Sequence, residues 1–169
     1  VDAIITDLPY GTTACSWDEI IPFAPMWEQV ERICKGAFVT TASQPFTSKL
    51  VMSNLKRFKY EWIWEKSHAT GFLDVREKPM KQHENIVVFY NGAKTYNPQL
   101  YKKNKSKIRA GKLIRANTGT YGNFHNDTPR SVPDDMGYPL SIQYFATPYK
   151  GGEGGKHPTQ KPVALYEYL

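Results

Sequence analysis

The chain has 169 residues, 40% of them hydrophobic, enough for one domain with a substantial core and ordinary for a globular protein. Lys and Arg outnumber Asp and Glu by 22 to 16, a net charge of +6, which favours a polyanionic partner. Cys15 and Cys34 stand in no C-x-x-C or metal-ligand spacing, no apolar run is long enough to span a bilayer, and the amino end has none of a signal peptide's regions; free thiols, a cytoplasmic location and no membrane role are expected.

Starting at Val1, without methionine and almost inside a strand, the chain reads as a piece of something longer. Ala3-Ile4-Ile5-Thr6 is an apolar run short enough to be a buried strand, and it stops at Asp7-Leu8-Pro9-Tyr10-Gly11. In open α/β sheets ligands bind at the carboxyl edge of the strands. Asp7 offers carboxylate acceptors there, Pro9 stiffens the turn, Tyr10 supplies a flat ring and Gly11 permits close backbone approach. The set suits a planar ring bearing an amino group, although a bare strand-to-turn transition has the same outline.

Thr12 to Glu19 reads as a loop feeding a helix, with Ser16 or Asp18 as its cap. Phe23, Met26, Trp27, Val30, Ile33 and Cys34 recur at helical spacing, which predicts a core-facing helix between Ile20 and Cys34, ended by Lys35-Gly36. Ala37–Ala42 is a second buried strand. Ser43-Gln44-Pro45 then turns into a helix marked by Phe46, Leu50, Val51 and Leu55; Ser43 and Gln44 serve the turn or touch a ligand. This alternation predicts a parallel sheet with right-handed crossovers. Lys59–Lys66 and Ile86–Tyr90 are the third and fourth strands, with a loop or short excursion from His68 to Gln82 between them and an Asn91-Gly92 turn after.

Composition then changes. No acid occurs from Asn85 through Asn126, while Lys94, Lys102, Lys103, Lys105, Lys107, Arg109, Lys112 and Arg115 accumulate among Tyr96, Tyr101 and Tyr121. Clustered cations neutralise phosphates and flat rings accept unpaired bases, so this stretch is either a nucleic-acid contact or a solvated basic loop. Ser141–Phe145 is a short extended piece, and the glycines between Tyr149 and Gly155 lack the spacing of a dinucleotide fingerprint. His157-Pro158-Thr159-Gln160-Lys161-Pro162 leads into the helical start Val163–Leu169, with Pro162 suited to a first turn. No cluster of His, Cys, Asp and Glu suggests a metal.

Asp7-Leu8-Pro9-Tyr10 resembles the Asp-Pro-Pro-Tyr motif of the amino methyltransferases that modify adenine N6 or cytosine N4 in DNA. His157 to Pro162, before an apolar helix, is similar to the signature those enzymes carry just ahead of their S-adenosylmethionine-binding strand. The motif order resembles their β group, with the recognition region between the catalytic and cofactor motifs. The resemblance implies an α/β fold: a partial Rossmann-like S-adenosylmethionine-dependent methyltransferase sheet with an irregular basic insertion. Residues 1–93 and 150–169 would form the catalytic domain and 94–149 the target-recognition insertion.

By the same resemblance the cofactor is S-adenosylmethionine, the partner is DNA, and the reaction is methyl transfer to the N6 amine of a flipped adenine. Asp7 and a carbonyl near Leu8 or Pro9 would orient the amine while Tyr10 stacks on the base. Asp7, Gly11, Thr159, Lys161 and Pro162 would lie by the cofactor, and Lys102, Lys103, Lys105, Lys107, Arg109, Lys112 and Arg115 would contact DNA. An aspartate at the motif's first position points to adenine over cytosine N4. A non-catalytic nucleic-acid-binding module on the same fold, or a structural fragment without activity, is the alternative of a different class. Two departures stand out: Leu8 replaces a proline, and the family's Phe-x-Gly-x-Gly cofactor motif would have to follow Leu169. A chain shortened in this way is expected to bind the cofactor weakly, methylate poorly alone, and expose a sheet edge that a second copy or further chain covers.

Overall fold

A computed structural model of the protein describes residues 1–92, 96–104, 116–118, 122–124, 132–148 and 159–169. In chain order the elements are β1 (Ala3–Asp7), α1 (Phe23–Ile33), β2 (Ala37–Ala42), α2 (Phe46–Ser53), β3 (Phe58–Thr70), a 3-10 turn (Phe72–Asp74), β4 (Lys81–Phe89), β5 (Tyr101–Lys102), β6 (Ala116–Thr118), β7 (Gly122–Phe124), β8 (Met136–Gly137), β9 (Ile142–Phe145) and α3 (Val163–Tyr168). They fall into two units, Val1–Tyr96 with Ser141–Leu169, and Asn97–Leu140.

The first unit carries one five-stranded sheet in the order β1-β2-β4-β3-β9. β1 pairs parallel to β2 and β3 parallel to β9, while β4 is antiparallel to both β2 and β3. The expectation of a purely parallel sheet is thereby corrected: β4 alone runs backwards. The reason is local, since β3 and β4 form a hairpin with no crossover helix between them. The expected loop from His68 to Gln82 is shorter than that span, because β3 continues to Thr70 and β4 begins at Lys81, leaving residues 71–80 with their 3-10 turn as the connection. The strand ends that reach into it, His68–Thr70 and Lys81–Gln82, are mostly polar, the outer part of a hairpin being exposed on at least one face.

Both faces of the central strands are covered, which is why β2 and the end of β4 read as continuous apolar runs. Phe38 and Ala42 with Val87 and Phe89 face Trp27 and Val30 of α1 and Phe46 and Leu50 of α2. One residue along, Val39, Ile86, Val88 and Trp64 face the other way, against Leu165 of α3. Each fully buried Val, Leu, Ile or Phe among them contributes about 1.5–3 kcal/mol. The helix expected from Ile20 starts later, at Phe23, because Pro22 holds an extended ψ of 123° as its N-cap. Pro25 fits in the first turn, where backbone N–H groups have no partner within the helix.

In the second unit β5 pairs antiparallel with β8, and β6 with β7. Among the described residues no helix is long and apolar enough to cross a membrane.

Candidate active site

The sheet register assembles the site. Asp7 is the last residue of β1 and pairs with Thr41 of β2; Ala42 pairs with Asn85, and Glu84 with Trp64 of β3. Reversal of β4 brings its amino end to the same edge as the carboxyl ends of β1 and β2. Side chains two residues apart share a face, so Asp7, Thr41, Glu84, Trp64 and Lys66 all stand on the α3 side of the sheet.

Asp7 is densely engaged. Its Oδ1 accepts hydrogen bonds from the Thr41 hydroxyl and from the Tyr10 hydroxyl, the latter at 3.0 Å, and its Oδ2 accepts one from Lys161 Nζ at 2.9 Å. Glu84 stands behind them: Oε1 pairs with Lys66, and Oε2 lies 3.2 Å from the Tyr10 hydroxyl and 3.5 Å from Lys161 Nζ. Two carboxylates and two ammoniums therefore form one compensated cluster, which is what burial of charge requires. The Lys66, Glu84 and Lys161 side chains are 10%, 11% and 9% exposed, whereas Asp7 keeps 32%. Asp7 is the member of the cluster that a ligand can reach.

The neighbouring phenols stay protonated. Burial first, then the carboxylates of Glu84 and Asp7, pushes Tyr10 far above its ordinary range, and burial followed by Asp7 pushes Tyr166 up to about 12. Tyr10 thus remains a donor. One side of its ring stacks on Phe46, with centroids 5.3 Å apart and planes at 23°, and the Lys161 ammonium lies 5.4 Å from its centroid. A base stacked on this ring would have to share it with that cation.

Residues 10–13 are held by one side chain. The backbone N–H groups of Tyr10 and Gly11 donate to Asp18 Oδ1 at 2.8 and 2.9 Å, and those of Thr12 and Thr13 to Oδ2 at 2.9 and 2.7 Å. Of the two cap candidates, Ser16 and Asp18, the second closes the turn after β1 and does not cap α1, because four converging N–H groups bind a carboxylate better than one helix end. Gly11 is needed in this turn, with φ at 65° and a Cβ there coming within 2.9 Å of Ile20. Burial would raise the Asp18 pKa, but the hydrogen bonds from Gly11, Thr13 and Thr12 outweigh it and hold it at about 2, below its ordinary 3.8. Because the folded value lies below the unfolded one, this stabilisation is complete above pH 3.8 and is lost as pH falls through about 2. Asp18→Asn is expected to cost about 1–3 kcal/mol and to flatten the acid limb of thermal stability in that window.

A cleft of about 820 Å³ opens over this edge. Of the residues expected from sequence, Asp7, Leu8, Pro9, Tyr10, Thr159 and Lys161 line it. Gly11 and Pro162 are not among its lining: Gly11 binds Asp18, and Pro162 is the buried N-cap of α3. Lys102 lies exposed on β5, and Lys103 is tied to the carbonyl of Asp134 at 3.2 Å. Lys105, Lys107, Arg109, Lys112, Arg115 and His157 lie outside the described residues. Among the described residues no group of three His, Cys, Asp or Glu is placed to hold a metal.

Neither a protein-family profile nor a curated protein matches this chain. Solved structures do match, 31 chains in all. One is M1.HpyAVI in its complex with SAM (S-adenosylmethionine): it aligns over 99% of this chain with a TM-score of 0.52 and 19% identity. This chain shares the mixed α/β fold of that structure. The chain spans 64% of the length of that structure.

Sequence reasoning missed four residues gathered around Asp7 at this edge: Thr41, Lys66, Glu84 and Tyr166. One signal was present for Glu84, an acid one residue removed from the run Ile86–Phe89 across Asn85, which roughly mirrors Asp7 after its own apolar run. For a reversed strand the ligand edge is the amino end, so that signal carries meaning only once the direction of β4 is known. Gln44 accepts hydrogen bonds from Ser48 and serves the start of α2, while Ser43 lines the cleft beside Lys81.

Proposed function

We propose that the full-length protein transfers the methyl group of S-adenosylmethionine to the N6 amine of an adenine flipped out of DNA. The observation that carries this reading is the placement of Asp7: a ligand-accessible carboxylate at the carboxyl end of β1, in a cleft of the fold shared with M1.HpyAVI, followed by Leu-Pro-Tyr. An exocyclic adenine amine is a poor nucleophile because its lone pair is delocalised into the ring. A carboxylate accepting one of its N–H groups, with a carbonyl of the Leu8-Pro9 turn accepting the other, favours a pyramidal nitrogen and aims the lone pair.

The cleft also fits the cofactor. Its volume lies within the usual range of small-molecule sites, about 300–1,000 Å³, and it combines the apolar surfaces of Pro9, Trp17 and Trp64 with the accessible carboxylate of Asp7, suited to a cationic sulfonium beside an aromatic base. When bound, the cofactor supplies an electrophilic methyl group. This chain's residues do the rest: Thr41 and Tyr10 hold Asp7, Thr159 and Lys161 border the cofactor, and Trp64 and Pro9 exclude water. DNA contact is assigned to residues 94–149 as a target-recognition insertion, with Lys102, Lys103, Lys105, Lys107, Arg109, Lys112 and Arg115 on phosphates. β1 is an edge strand whose Ile5 is 39% exposed, and we assign that edge to pairing with a second copy or further chain.

Incubation of the full-length protein with labelled S-adenosylmethionine and duplex DNA is expected to place label on adenine N6. Label on cytosine N4 would decide for the other amino group, and DNA binding without label for a non-catalytic module. Affinity for DNA is expected to fall steeply with salt, by about 10³–10⁵ between 50 and 200 mM if six to ten phosphates are contacted.

A further inference from the structure

We infer that Lys161 is a displaceable placeholder on Asp7, and that Glu84 is the positioning residue that receives it when the substrate amine arrives. This rests on the proposed amino-methyltransferase reading and concerns how the same site becomes available.

Asp7 has two oxygens, and both are in use. Oδ1 holds the hydroxyls of Thr41 and Tyr10, and Oδ2 holds the Lys161 ammonium at 2.9 Å. A substrate amine that needs an acceptor on this carboxylate must compete for Oδ2, the oxygen with a single protein donor. Lys161 has to move aside, yet its side chain is 9% exposed, and a buried ammonium without a counter-charge is strongly disfavoured.

Glu84 resolves the conflict. Its Oε2 already lies 3.5 Å from the same ammonium, and among the described residues Asp7 and Glu84 are the two carboxylates in ion-pair reach of Lys161. Lys66 binds the far oxygen, Oε1, and anchors the acceptor without occupying Oε2. A small swing of Lys161 from Asp7 Oδ2 to Glu84 Oε2 therefore frees one and closes on the other, while the cluster keeps two negative and two positive charges. Tyr10 completes the exchange. Its single phenolic proton lies between Asp7 Oδ1 at 3.0 Å and Glu84 Oε2 at 3.2 Å, so it stays on Asp7 when Lys161 takes Glu84. Before the amine arrives the cation masks the acceptor; afterwards it holds the floor of the site closed.

The test is a double-variant series in the full-length protein, read by steady-state kinetics with labelled S-adenosylmethionine and DNA. Glu84→Gln removes the receiving charge and leaves Lys161 with Asp7 alone. Its kcat is expected to fall about ten-fold or more, with KM for both substrates within about three-fold. Adding Lys161→Met removes the placeholder and is expected to recover most of the lost kcat. Charge balance alone would also favour the double variant, since Glu84→Gln leaves two buried ammoniums, Lys66 and Lys161, against the one carboxylate of Asp7; denaturant midpoints read beside kcat separate the two, and a kcat that falls and recovers only in step with the midpoint overturns the inference. A double variant no faster than Glu84→Gln, beside an active unaltered protein, overturns the inference. Lys161→Arg supplies an arm independent of Glu84→Gln folding: a forked guanidinium grips Asp7 more firmly, so kcat should again drop about ten-fold, and an unchanged kcat overturns the inference. No label from the unaltered protein would instead defeat the proposed function, and this inference with it.

Discussion

Asp7→Ala in the full-length protein is expected to reduce methyl transfer by at least about 10²–10³-fold, the loss typical of removing one preorganised polar group at a reacting centre. DNA affinity should stay largely intact, because phosphate contacts supply most of it and Asp7 lies at the base of a cleft. The fold should also survive. With Asp7 gone, Lys161 retains Glu84 at 3.5 Å and Tyr10 retains the same carboxylate at 3.2 Å, so no buried charge is stranded. Asp7→Asn is the sharper control, since it preserves volume and offers one acceptor where the carboxylate has two. It is expected to fail nearly as badly, because Thr41 and Tyr10 already claim an oxygen and the new amide group meets the Lys161 ammonium with its own donors. Single-turnover label incorporation beside filter binding of the same DNA separates the two effects. Retained turnover in Asp7→Ala would remove this residue from its assigned role.

Phe46→Ala is expected to cost about 3–5 kcal/mol, a large share of the roughly 5–15 kcal/mol that holds a typical domain together. Phe46 is 1% exposed and packs against Phe23 at 5.9 Å as well as beneath Tyr10. Truncation leaves a cavity at the junction of α2, the sheet and the turn after β1, where aromatic rings cannot readily collapse. Met52 on the same helix is 68% exposed and serves as the comparison; Met52→Ala should stay within about 0.5 kcal/mol. Denaturant titrations should show a lower midpoint for Phe46→Ala with an unchanged slope. Its folded fraction should also methylate more slowly, since Tyr10 loses the surface that sets its hydroxyl on Asp7. A stability change below about 1 kcal/mol would mean that Phe46 does not support the core as its burial indicates.

The candidate site was legible in part because two of its features are local. A carboxylate ending an apolar run is visible at Asp7 without any knowledge of neighbours, and the turn chemistry of Pro9 and Gly11 follows it directly. Asp18 shows where local reading misleads: an acid ahead of a helical pattern signals a cap, yet its carboxylate faces backwards to four N–H groups of residues 10–13. Either outcome gives unpaired backbone donors an acceptor, those of the helix start in one case and those of residues 10–13 in the other, and only the path of the chain selects between them.

From sequence alone came the strand β1, the two helix faces packed on the sheet, the buried strand β2, the end of β4 and the helical start at Val163. Their signals are periodicity and turn residues within a few positions. Tertiary structure alone decided that β4 runs against its neighbours, since a hairpin and a crossover can carry the same apolar run. That one reversal sets Glu84 beside Asp7. It also makes an acceptor site out of residues as far apart as Asp7 and Lys161, 154 positions from one another. Charges so distant in the chain leave no mutual trace in the sequence, because what joins them is burial on one face of a shared sheet.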